Sequence, residues 1–577
     1  MSARRTTSEP AEPPAVNAPP PDPNTPPEPP PDPSAPPPRA GAGRFARLVA
    51  AGIFLSRVSG LLREAFFAHY FGNTLFSDAF RAALRIPNIL QNLLGEGTLS
   101  ASFIPVYAEL LEQGKREEAG RVAAAVFALL AMLAGAISLL GIFFAPALVD
   151  VVAFGFEGER RQIAVQATRI IFPMTGILVL SAWALGILNS HRRFFLAYVA
   201  PVLWNAAMIA TMVLFGRRLS LANLVMAVSW GALVGGALQF LVQLPRVLRL
   251  EPNLHLSWAT LRGPLVATIV ANALPVLLGR GVVQLSAYVD VMLASKLSVG
   301  ALSALTYAMT LYLLPISLFG MSVAAAELPE LSRQRGQAAE VLRTRVNAGL
   351  RQIAVFVVPS TVGYLALGDV VISTVLQTGK FSAGDTIWVW IVLGGFTLGL
   401  MASTGTRLFS STYYALHDTK TPAWIAFLRV ILTGALGYAL MIPFERHLRV
   451  AGHPMGALGL TLGAGIAAWV EWSLLRRGLR SRIGKVGAGL GTLGRMFAAA
   501  LIAAAVARAI AWLVPPPEQL FSGIGLGGSA AVRLLFRLAR GAIVLGPFGA
   551  IYFLLARAFG VPEAEAVVGR VVRRLRR

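Results

Sequence analysis

The chain of 577 residues contains no cysteine, and only 14% of its residues are charged. Without cysteine it has no disulfide, no thiolate metal site and no cysteine nucleophile, although this absence does not identify a cellular compartment. Soluble globular proteins carry about 25% charged residues. Here 55% of the residues are hydrophobic, and mainly apolar runs of about 18 residues or more recur between residues 46 and 560. The composition predicts a protein that spans a membrane many times.

Several signatures of enzymes are also missing. There is no GxxxxGKS/T phosphate loop, no HExxH zinc motif and no evident nucleophile–base pair of a lipid phosphatase. We therefore expect no ATP hydrolysis, no other enzyme activity and no cofactor. The formal charge of +23 could indicate nucleic acid, but lysine and arginine are dispersed among loops between apolar runs. That dispersion fits membrane topology, so no nucleic-acid partner is expected.

The apolar runs predict an all-α polytopic membrane protein with about 14 transmembrane helices. The predicted spans are 46–69, 77–110, 121–149, 162–189, 195–215, 221–248, 265–293, 300–330, 343–370, 385–413, 421–443, 455–477, 488–514 and 532–558. Lysine and arginine are concentrated in the loops after even-numbered spans, for example KREEAGR at 115–121 and HRR at 191–193. The positive-inside rule then predicts that both termini are cytoplasmic.

The chain also repeats itself weakly. Pro87 and Pro315 lie 228 residues apart in similar segments. His191 and His417 lie 226 residues apart in similar loops. Landmarks at nearly one offset predict two pseudo-symmetric six-helix lobes, with two helices appended. Transporters built from such repeats place their site between the halves, near the middle of the membrane.

These patterns divide the chain into five predicted segments. They are a disordered proline-rich cytoplasmic tail (1–43), an N-lobe with spans 1–6 (44–250), a C-lobe with spans 7–12 (251–480), spans 13–14 (481–560) and a basic cytoplasmic tail (561–577). The first tail holds 16 of the 36 prolines and cannot bury a core. Its PxxP-like spacing could bind an SH3-type partner, whereas an inert solvated tail is the simpler interpretation.

A polar stripe marks the second predicted span. At steps of three and four residues, six polar side chains fall on one face of an otherwise apolar helix: Asp78, Arg81, Arg85, Asn88, Asn92 and Glu96. Pro87 and Gly95 disturb the regular helix within the span. Each central arginine or aspartate costs about 2.5–3.5 kcal/mol to insert, so the stripe predicts an aqueous cavity or polar partners. A surface amphipathic helix with a solvated charged face is the alternative.

The segments around this stripe resemble a known family. They read SRVSGLLREAFFAHYFG at 56–72, SDAFRAALRIPNIL at 77–90 and GEGTLSASFIPVYAE at 95–109. This block is similar to the signature of the MurJ/MviN lipid II flippases, which belong to the MOP exporter superfamily. The resemblance implies a 14-helix flippase of the bacterial cytoplasmic membrane. Such a protein moves lipid II, the undecaprenyl-pyrophosphate-linked peptidoglycan precursor, to the outer leaflet by alternating access and without ATP.

The resemblance and the chemistry of a pyrophosphate together indicate the site residues. Guanidinium groups bind phosphate oxygens bidentately and stay charged, so the predicted substrate-binding residues are Arg57, Arg63, Arg81 and Arg85. The predicted gating or ion-pair residues are Ser56, Glu64, Asp78 and Glu96. On an ideal helix Glu64 lies within about 20° of Arg57, which predicts that Glu64 braces Arg57. Buried structural ion pairs are the alternative interpretation of these residues.

The chain departs from the family pattern at two arginine positions. Relatives commonly carry an arginine where this sequence has Gln91, and a functional arginine where it has Thr310. Arg81 and Arg85, or Arg280 in span seven, could replace them. The departures leave open a carrier for another polyprenyl-pyrophosphate-linked glycan. A non-transporting scaffold that recruits cell-wall synthesis proteins is a further alternative.

The resemblance also bears on the energy source that drives transport. Asp290 sits where some members of the family use an aspartate thought to bind a sodium ion. The residues that would complete such a site fall near Gly434 and Tyr438, so the site looks incomplete. An inside-negative membrane potential alone would drive an anion outward. Either sodium or the potential is therefore expected as the driving force.

Overall fold

The structure is a computed structural model, and it describes residues 42–255, 258–321, 323–324, 327, 339–516 and 530–575. The predicted proline-rich tail, residues 1–43, lies outside these residues except for its last two positions. The chain divides into a short N-terminal unit, Met1–Arg47, and one body, Leu48–Arg577. Every contact described below lies within that body.

Helices make up nearly all of the described chain. The first ten are α1 (Ala42–Phe71), α2 (Leu75–Leu94), α3 (Glu96–Glu112), α4 (Arg116–Phe143), α5 (Ala145–Val152), α6 (Gly158–Ser190), α7 (Phe194–Phe215), α8 (Leu221–Leu250), α9 (Trp258–Leu261) and α10 (Pro264–Ser295). The next is α11 (Ala301–Pro315), which continues as a π-helical turn over Ile316–Gly320. A π-helical turn inside a helix often marks a functional position.

The remaining helices belong to the second half of the chain. They are α12 (Ala339–Val375), α13 (Ala383–Leu398), α14 (Leu400–Ala415), α15 (Lys420–His447), α16 (Gly456–Ile483), α17 (Leu490–Leu513), α18 (Ala530–Ala558) and α19 (Pro562–Leu575). A two-residue antiparallel hairpin, β1 (Arg449–Val450) and β2 (His453–Pro454), joins α15 to α16. The all-α membrane-spanning architecture predicted from the sequence is therefore confirmed.

The number of spans is less uniform than the sequence pattern predicts. In the described part of the chain, nine helices are long and apolar enough to cross a membrane, or ten if the bent pair α13–α14 is one span. The helices α1 and α2 fall outside this group because they carry the charged residues of the predicted site. In α7 and α10 side chains are described over only part of the helix, and the apolar stretches Val199–Phe215 and Pro264–Leu277 belong to that part. The count of fourteen stays a prediction.

The predicted second span is two helices and not one. Pro87 lies inside α2, and the helix continues past it to Leu94. The interruption comes at Gly95, where α2 ends and α3 begins. A Cβ atom at Gly95 would lie 2.2 Å from the carbonyl oxygen of Gln91, so this turn requires glycine. The break separates α2, which packs against α10 and α11, from α3, which packs against α10 and α4.

The helices of the two halves meet around α2. This helix packs against α6 and α8 of the first half, and against α10 and α11 of the second half. In the second half α15 and α16 approach closely, because small residues line their contact. A Cβ atom at Gly463 would lie 2.6 Å from the backbone nitrogen of Gly437. The polar face of α2 is thus placed at the junction of the two halves.

Candidate functional site

A cavity of about 320 Å³ lies where α2 meets the second half of the chain. We call its two sides the N-wall and the C-wall. The N-wall comes from α1, α2 and α7 and consists of Arg63, Glu64, Arg81, Leu84, Arg85, Asn88 and Trp204. The C-wall comes from α10, α11 and α13 and consists of Asp290, Val291, Leu302, Leu305, Thr306, Met309, Thr310, Leu313 and Phe396. Volumes from about 300 Å³ upward are typical of ligand pockets.

One carboxylate on the N-wall is shared by two arginines. Glu64 Oε1 accepts a hydrogen bond of 2.8 Å from Arg63 Nη2, and Glu64 Oε2 accepts one of 3.0 Å from Arg81 Nη2. The Glu64 and Arg81 side chains are only 8% and 7% exposed, whereas that of Arg63 is 18% exposed. Because one negative charge faces two positive charges, this cluster keeps a net positive charge beside the cavity.

Arg81 is the more deeply enclosed of the two arginines. Its guanidinium carbon lies 4.1 Å from the ring centre of Tyr307 and 4.9 Å from that of Phe67. Its Nε donates to Ser77 Oγ at 3.4 Å. Aromatic faces stabilise a desolvated cation, which accounts for a charged group at this depth. Arg81 therefore combines an ion-pair role with a place on the cavity wall.

Arg85 of α2 and Asp290 of α10 lie on the two walls of the cavity. The hydroxyl of Tyr288, two residues before Asp290, donates to the backbone carbonyl of Arg85 at 2.8 Å. Asn88 follows Arg85 by one turn on the same wall. Three members of the predicted stripe, Arg81, Arg85 and Asn88, thus face one cavity.

Asp78, the first residue of the stripe, joins the two halves at one end of the cavity. It is fully buried, and its Oδ2 accepts hydrogen bonds from Arg160 Nη2 at 2.6 Å and Gly300 N at 2.7 Å. Its Oδ1 accepts from Ser303 N at 2.8 Å and from Ser303 Oγ at 2.6 Å. Gly300 and Ser303 form the N-terminus of α11, so a carboxylate of the first half caps a helix of the second.

A second contact between the halves lies along α3, which packs against α10. Leu99 and Phe103 of α3 pack in one buried cluster with Ile269 of α10. Further along α3, the hydroxyl of Tyr107 donates to Glu251 Oε2 at 2.8 Å and lies 3.0 Å from His191 Nε2. These bonds tie the ends of α3, α6 and α8 together. The halves therefore touch at two separate contacts, one at Asp78 and one along α3.

The remaining predicted residues are placed as follows. The predicted pairing of Glu64 with Arg57 is wrong, because Arg81 and Arg63 occupy both Glu64 oxygens. Arg57 is exposed and lies outside the cavity lining among the described residues. The backbone carbonyl of Ser56 accepts a hydrogen bond from Ser59 Oγ. Glu96 begins α3, but its side chain lies outside the described part of the structure.

The predicted sodium site around Asp290 would lie between α10 and α15. A Cβ atom at Gly434 would lie 3.3 Å from Val289, so α15 passes α10 next to Asp290. Tyr438, one turn later, is 49% exposed. Neither residue offers a carboxylate or amide ligand. Within the described residues, no group of three or more histidine and carboxylate side chains could hold a metal ion. The side chain of Arg280, the other candidate in this helix, is not described.

Comparison with known proteins decides the family. The family model described as "Lipid II flippase MurJ" matches residues 67–523, which is most of the chain. The chain belongs to the lipid II flippase MurJ family. Arg81, Arg85 and Asp290 lie inside the matched region, and Arg63 and Glu64 lie just before it. Members of this family are transporters, so the expectation of a transporter and not an enzyme is confirmed.

Individual relatives agree with this assignment. A protein of Burkholderia cenocepacia named "Lipid II flippase MurJ" is 34% identical over 444 residues, which cover 76% of this chain and 84% of the relative. A protein of Rhizobium meliloti named "Probable lipid II flippase MurJ" is 29% identical over 532 residues, which cover 90% and 94%. Both alignments extend far beyond the segments that carry the resemblance in the sequence.

Solved structures show the same fold. "Lipid II flippase MurJ, inward closed conformation" superposes with a TM-score of 0.68 at 23% identity, covering 88% of this chain and 99% of that one. An inward-facing multidrug resistance MATE family transporter of the MOP superfamily superposes with a TM-score of 0.60 at 16% identity, covering 76% and 98%. The MurJ family fold therefore accounts for most of the chain.

Several residues that contact the predicted site residues Arg63 and Asp78 are not among those predicted from the sequence. They are Trp204 and Asn205 of α7, Arg160 of α6 and Ser303 of α11. Asn205 carried a usable signal, because α7 has no charged residue and a single amide in an apolar helix needs a partner. Ser303 carried none, because small hydroxyl residues are common in membrane helices and bond to their own backbone.

Proposed function

We propose that this protein moves lipid II from the inner to the outer leaflet of the bacterial cytoplasmic membrane by alternating access. The observation that carries the proposal is the charge of the cavity. Three arginines, Arg63, Arg81 and Arg85, line it together with two carboxylates, Glu64 and Asp290. The remaining positive charge suits a pyrophosphate, which guanidinium groups bind bidentately without losing their own charge.

The two contacts between the halves supply the elements that alternating access needs. At one contact Asp78 caps α11, and at the other α3 packs against α10. The two contacts share no residue, so one can open while the other stays closed. With both termini cytoplasmic, as the basic loops predict, the Asp78 contact faces the outside and the α3 contact faces the cytoplasm.

For the driving force we propose the membrane potential. A potential of 100 mV contributes about 2.3 kcal/mol per charge, or about 4–5 kcal/mol for a pyrophosphate with two charges moving outward. Asp290 is the candidate for an additional coupling cation, because it is a carboxylate on the cavity wall. Flipping in vesicles should fall when the potential alone is collapsed. If it falls only when a sodium gradient is removed, coupling through Asp290 is favoured instead.

The proposed function is tested by rescue and binding together. The chain is expressed in a bacterium depleted of its own lipid II flippase, and lipid II affinity is measured on purified protein. The variant Arg85→Ala should fail to rescue growth and should bind lipid II about 10- to 100-fold more weakly, the range for a charge-assisted hydrogen bond. The matched control is Arg343→Ala, which removes an arginine paired with Glu340 far from the cavity.

The outcomes separate the alternatives. If wild-type protein neither rescues nor binds lipid II, the substrate assignment fails. Binding of another polyprenyl-pyrophosphate glycan would then favour the related carrier. The uncharged Thr310 on the C-wall, where relatives commonly carry an arginine, also favours that alternative. Rescue that is unaffected by Arg85→Ala and Arg63→Ala would instead favour a scaffold for cell-wall synthesis proteins.

A further inference from the structure

We propose that Asn205 of α7 is a positioning residue that fixes Arg63 on the N-wall, and that its neutrality keeps the headgroup site positive. This inference rests on the proposed function, because it assigns a further residue to the same site. The residue comes from a helix that carries none of the predicted site residues. It acts on the substrate only through Arg63.

Asn205 holds Arg63 directly. Its Oδ1 accepts a hydrogen bond of 3.1 Å from Arg63 Nη1, while Arg63 Nη2 donates to Glu64. Asn205 is 4% exposed, so its amide cannot be satisfied by bulk water. The bond joins α7 to α1 and fixes one edge of the guanidinium group. Of the five N–H donors of Arg63, these two contacts use two.

The surroundings of Asn205 decide which way its amide points. The hydroxyl of Ser59 donates its hydrogen to the carbonyl of Ser56 at 2.9 Å. Its oxygen is therefore left as an acceptor, and it accepts from Asn205 Nδ2 at 2.9 Å. The amide nitrogen must face Ser59, so the amide oxygen must face Arg63. The orientation follows from the hydrogen-bond network and not from a choice between equivalent rotamers.

The neighbouring Trp204 holds the other face of Arg63. Its indole Nε1 donates to the carbonyl of Ala232 at 3.1 Å, which fixes the ring. The guanidinium carbon of Arg63 lies 4.9 Å from the ring centre. Both α7 residues therefore hold the cation with neutral groups, an amide oxygen and an aromatic face. Neither adds a negative charge to the N-wall.

The absence of charge on Asn205 matters because Glu64 is already shared. One carboxylate faces both Arg63 and Arg81. A second carboxylate, at position 205, would give each arginine its own partner and remove the net positive charge of the cluster. A carboxylate beside an arginine stays ionised. An anionic headgroup would then have to compete with a permanent internal anion for Arg63.

The decisive variant is Asn205→Asp, which keeps the acceptor for Arg63 and adds one negative charge. Affinity for lipid II is measured on the full-length protein in nanodiscs, alongside the thermal unfolding midpoint. We expect Asn205→Asp to bind lipid II at least about tenfold more weakly, with an unchanged or raised midpoint. The variant Asn205→Ala should lose only about threefold, because Arg63 stays charged and becomes less ordered. The matched control is Asn347→Asp, whose Oδ1 accepts from Gly487 N outside the cavity.

The order of the two variants separates the proposal from a structural role. A role in packing alone makes Asn205→Ala the weaker binder, since it loses both hydrogen bonds while Asn205→Asp keeps the one to Arg63. That order would overturn the proposal. Action through Arg63 also predicts that Asn205→Ala adds less than about twofold in an Arg63→Ala background. Additive losses there would equally overturn it.

Failure of the inference and failure of the proposed function give different results. If wild-type protein binds lipid II and Asn205→Asp binds it equally well, the inference is wrong and the flippase assignment stands. If wild-type protein does not bind lipid II, the assignment itself is wrong. Should Asn205→Asp fold too poorly for measurement, Asn205→Ala in the wild-type and Arg63→Ala backgrounds tests the same coupling without the added charge.

Discussion

The two walls of the cavity differ sharply in chemistry although both are built from helices of one membrane protein fold. The N-wall presents three arginines and one carboxylate, which Arg63 and Arg81 share. The amide of Asn205 and the indole of Trp204 contact Arg63. The C-wall presents leucine, methionine and phenylalanine side chains, two threonines and the carboxylate of Asp290. A ligand in this cavity meets a fixed cationic surface on one side and a mostly apolar surface on the other.

This difference indicates that the two halves have different roles in binding and movement. Charged groups that bind an anion need rigid partners. For Arg63 and Arg81 most of these partners are on α1, α2 and α7, and Tyr307 of α11 is an exception because it packs on Arg81. An apolar wall makes few directional contacts, so it can move past a ligand at small cost. The first half is therefore suited to hold the headgroup while the second half moves around it.

The largest effect is expected from breaking the charge balance of the N-wall. The variant Glu64→Gln leaves two adjacent, poorly exposed arginines without their carboxylate, which should cost about 3–5 kcal/mol of stability. The C-wall counterpart is Asp290→Asn. The charges of Arg85 and Arg429 attract this carboxylate, but its burial opposes that attraction and no described residue donates a hydrogen bond to it. The thermal unfolding midpoint of Asp290→Asn in detergent should stay close to that of wild type. Equal losses in both variants would contradict the distinction between the walls.

An intermediate effect is expected from adding charge to the C-wall. The variant Thr310→Arg places a guanidinium opposite the N-wall arginines, where a pyrophosphate between them can accept from both. Lipid II affinity should rise about three- to tenfold, while the unfolding midpoint falls because a further cation is buried. Thr310→Gln adds length without charge and serves as the control. An unchanged affinity for Thr310→Arg would show that the headgroup does not reach α11.

The smallest effect is expected from reshaping the apolar part of the C-wall. The variant Met309→Leu conserves volume and should cost less than about 1.5 kcal/mol of stability. Lipid II affinity should change by less than about twofold, because Met309 offers no polar group to the headgroup. The lipid II affinity of Met309→Leu is compared with that of Trp204→Leu, which removes the aromatic face behind Arg63. Trp204→Leu should weaken lipid II binding more. A tenfold loss for Met309→Leu would instead identify the C-wall as a closely fitted pocket.

Much of this molecule follows from periodicity and composition. The apolar runs predicted an all-helical membrane protein, and steps of three and four residues placed Arg81, Arg85 and Asn88 on one face. The structure puts those three on the wall of one cavity. Such patterns succeed because they describe a single helix, whose geometry is independent of its neighbours.

What the sequence could not supply is the choice of partner between helices. Helix geometry put Glu64 on the side of Arg57, yet Arg81 from the next helix reaches Glu64 instead. The break at Gly95 likewise outweighs Pro87, because the proline's lost hydrogen bond is tolerated within α2. Asn205 lies 142 residues from Arg63 in the chain. Contacts of this kind depend on how helices pack, which no local pattern records.

Asp78 has a consequence for the kinetics of the conformational cycle. Four donors converge on this one side chain: the guanidinium of Arg160, two backbone amides at the start of α11 and the hydroxyl of Ser303. Separating α11 from α2 breaks the last three together, and partial separation leaves dry, unsatisfied amides. Intermediate positions are therefore poorly populated, and the Asp78 contact opens in a single step whose barrier is set by the entry of water.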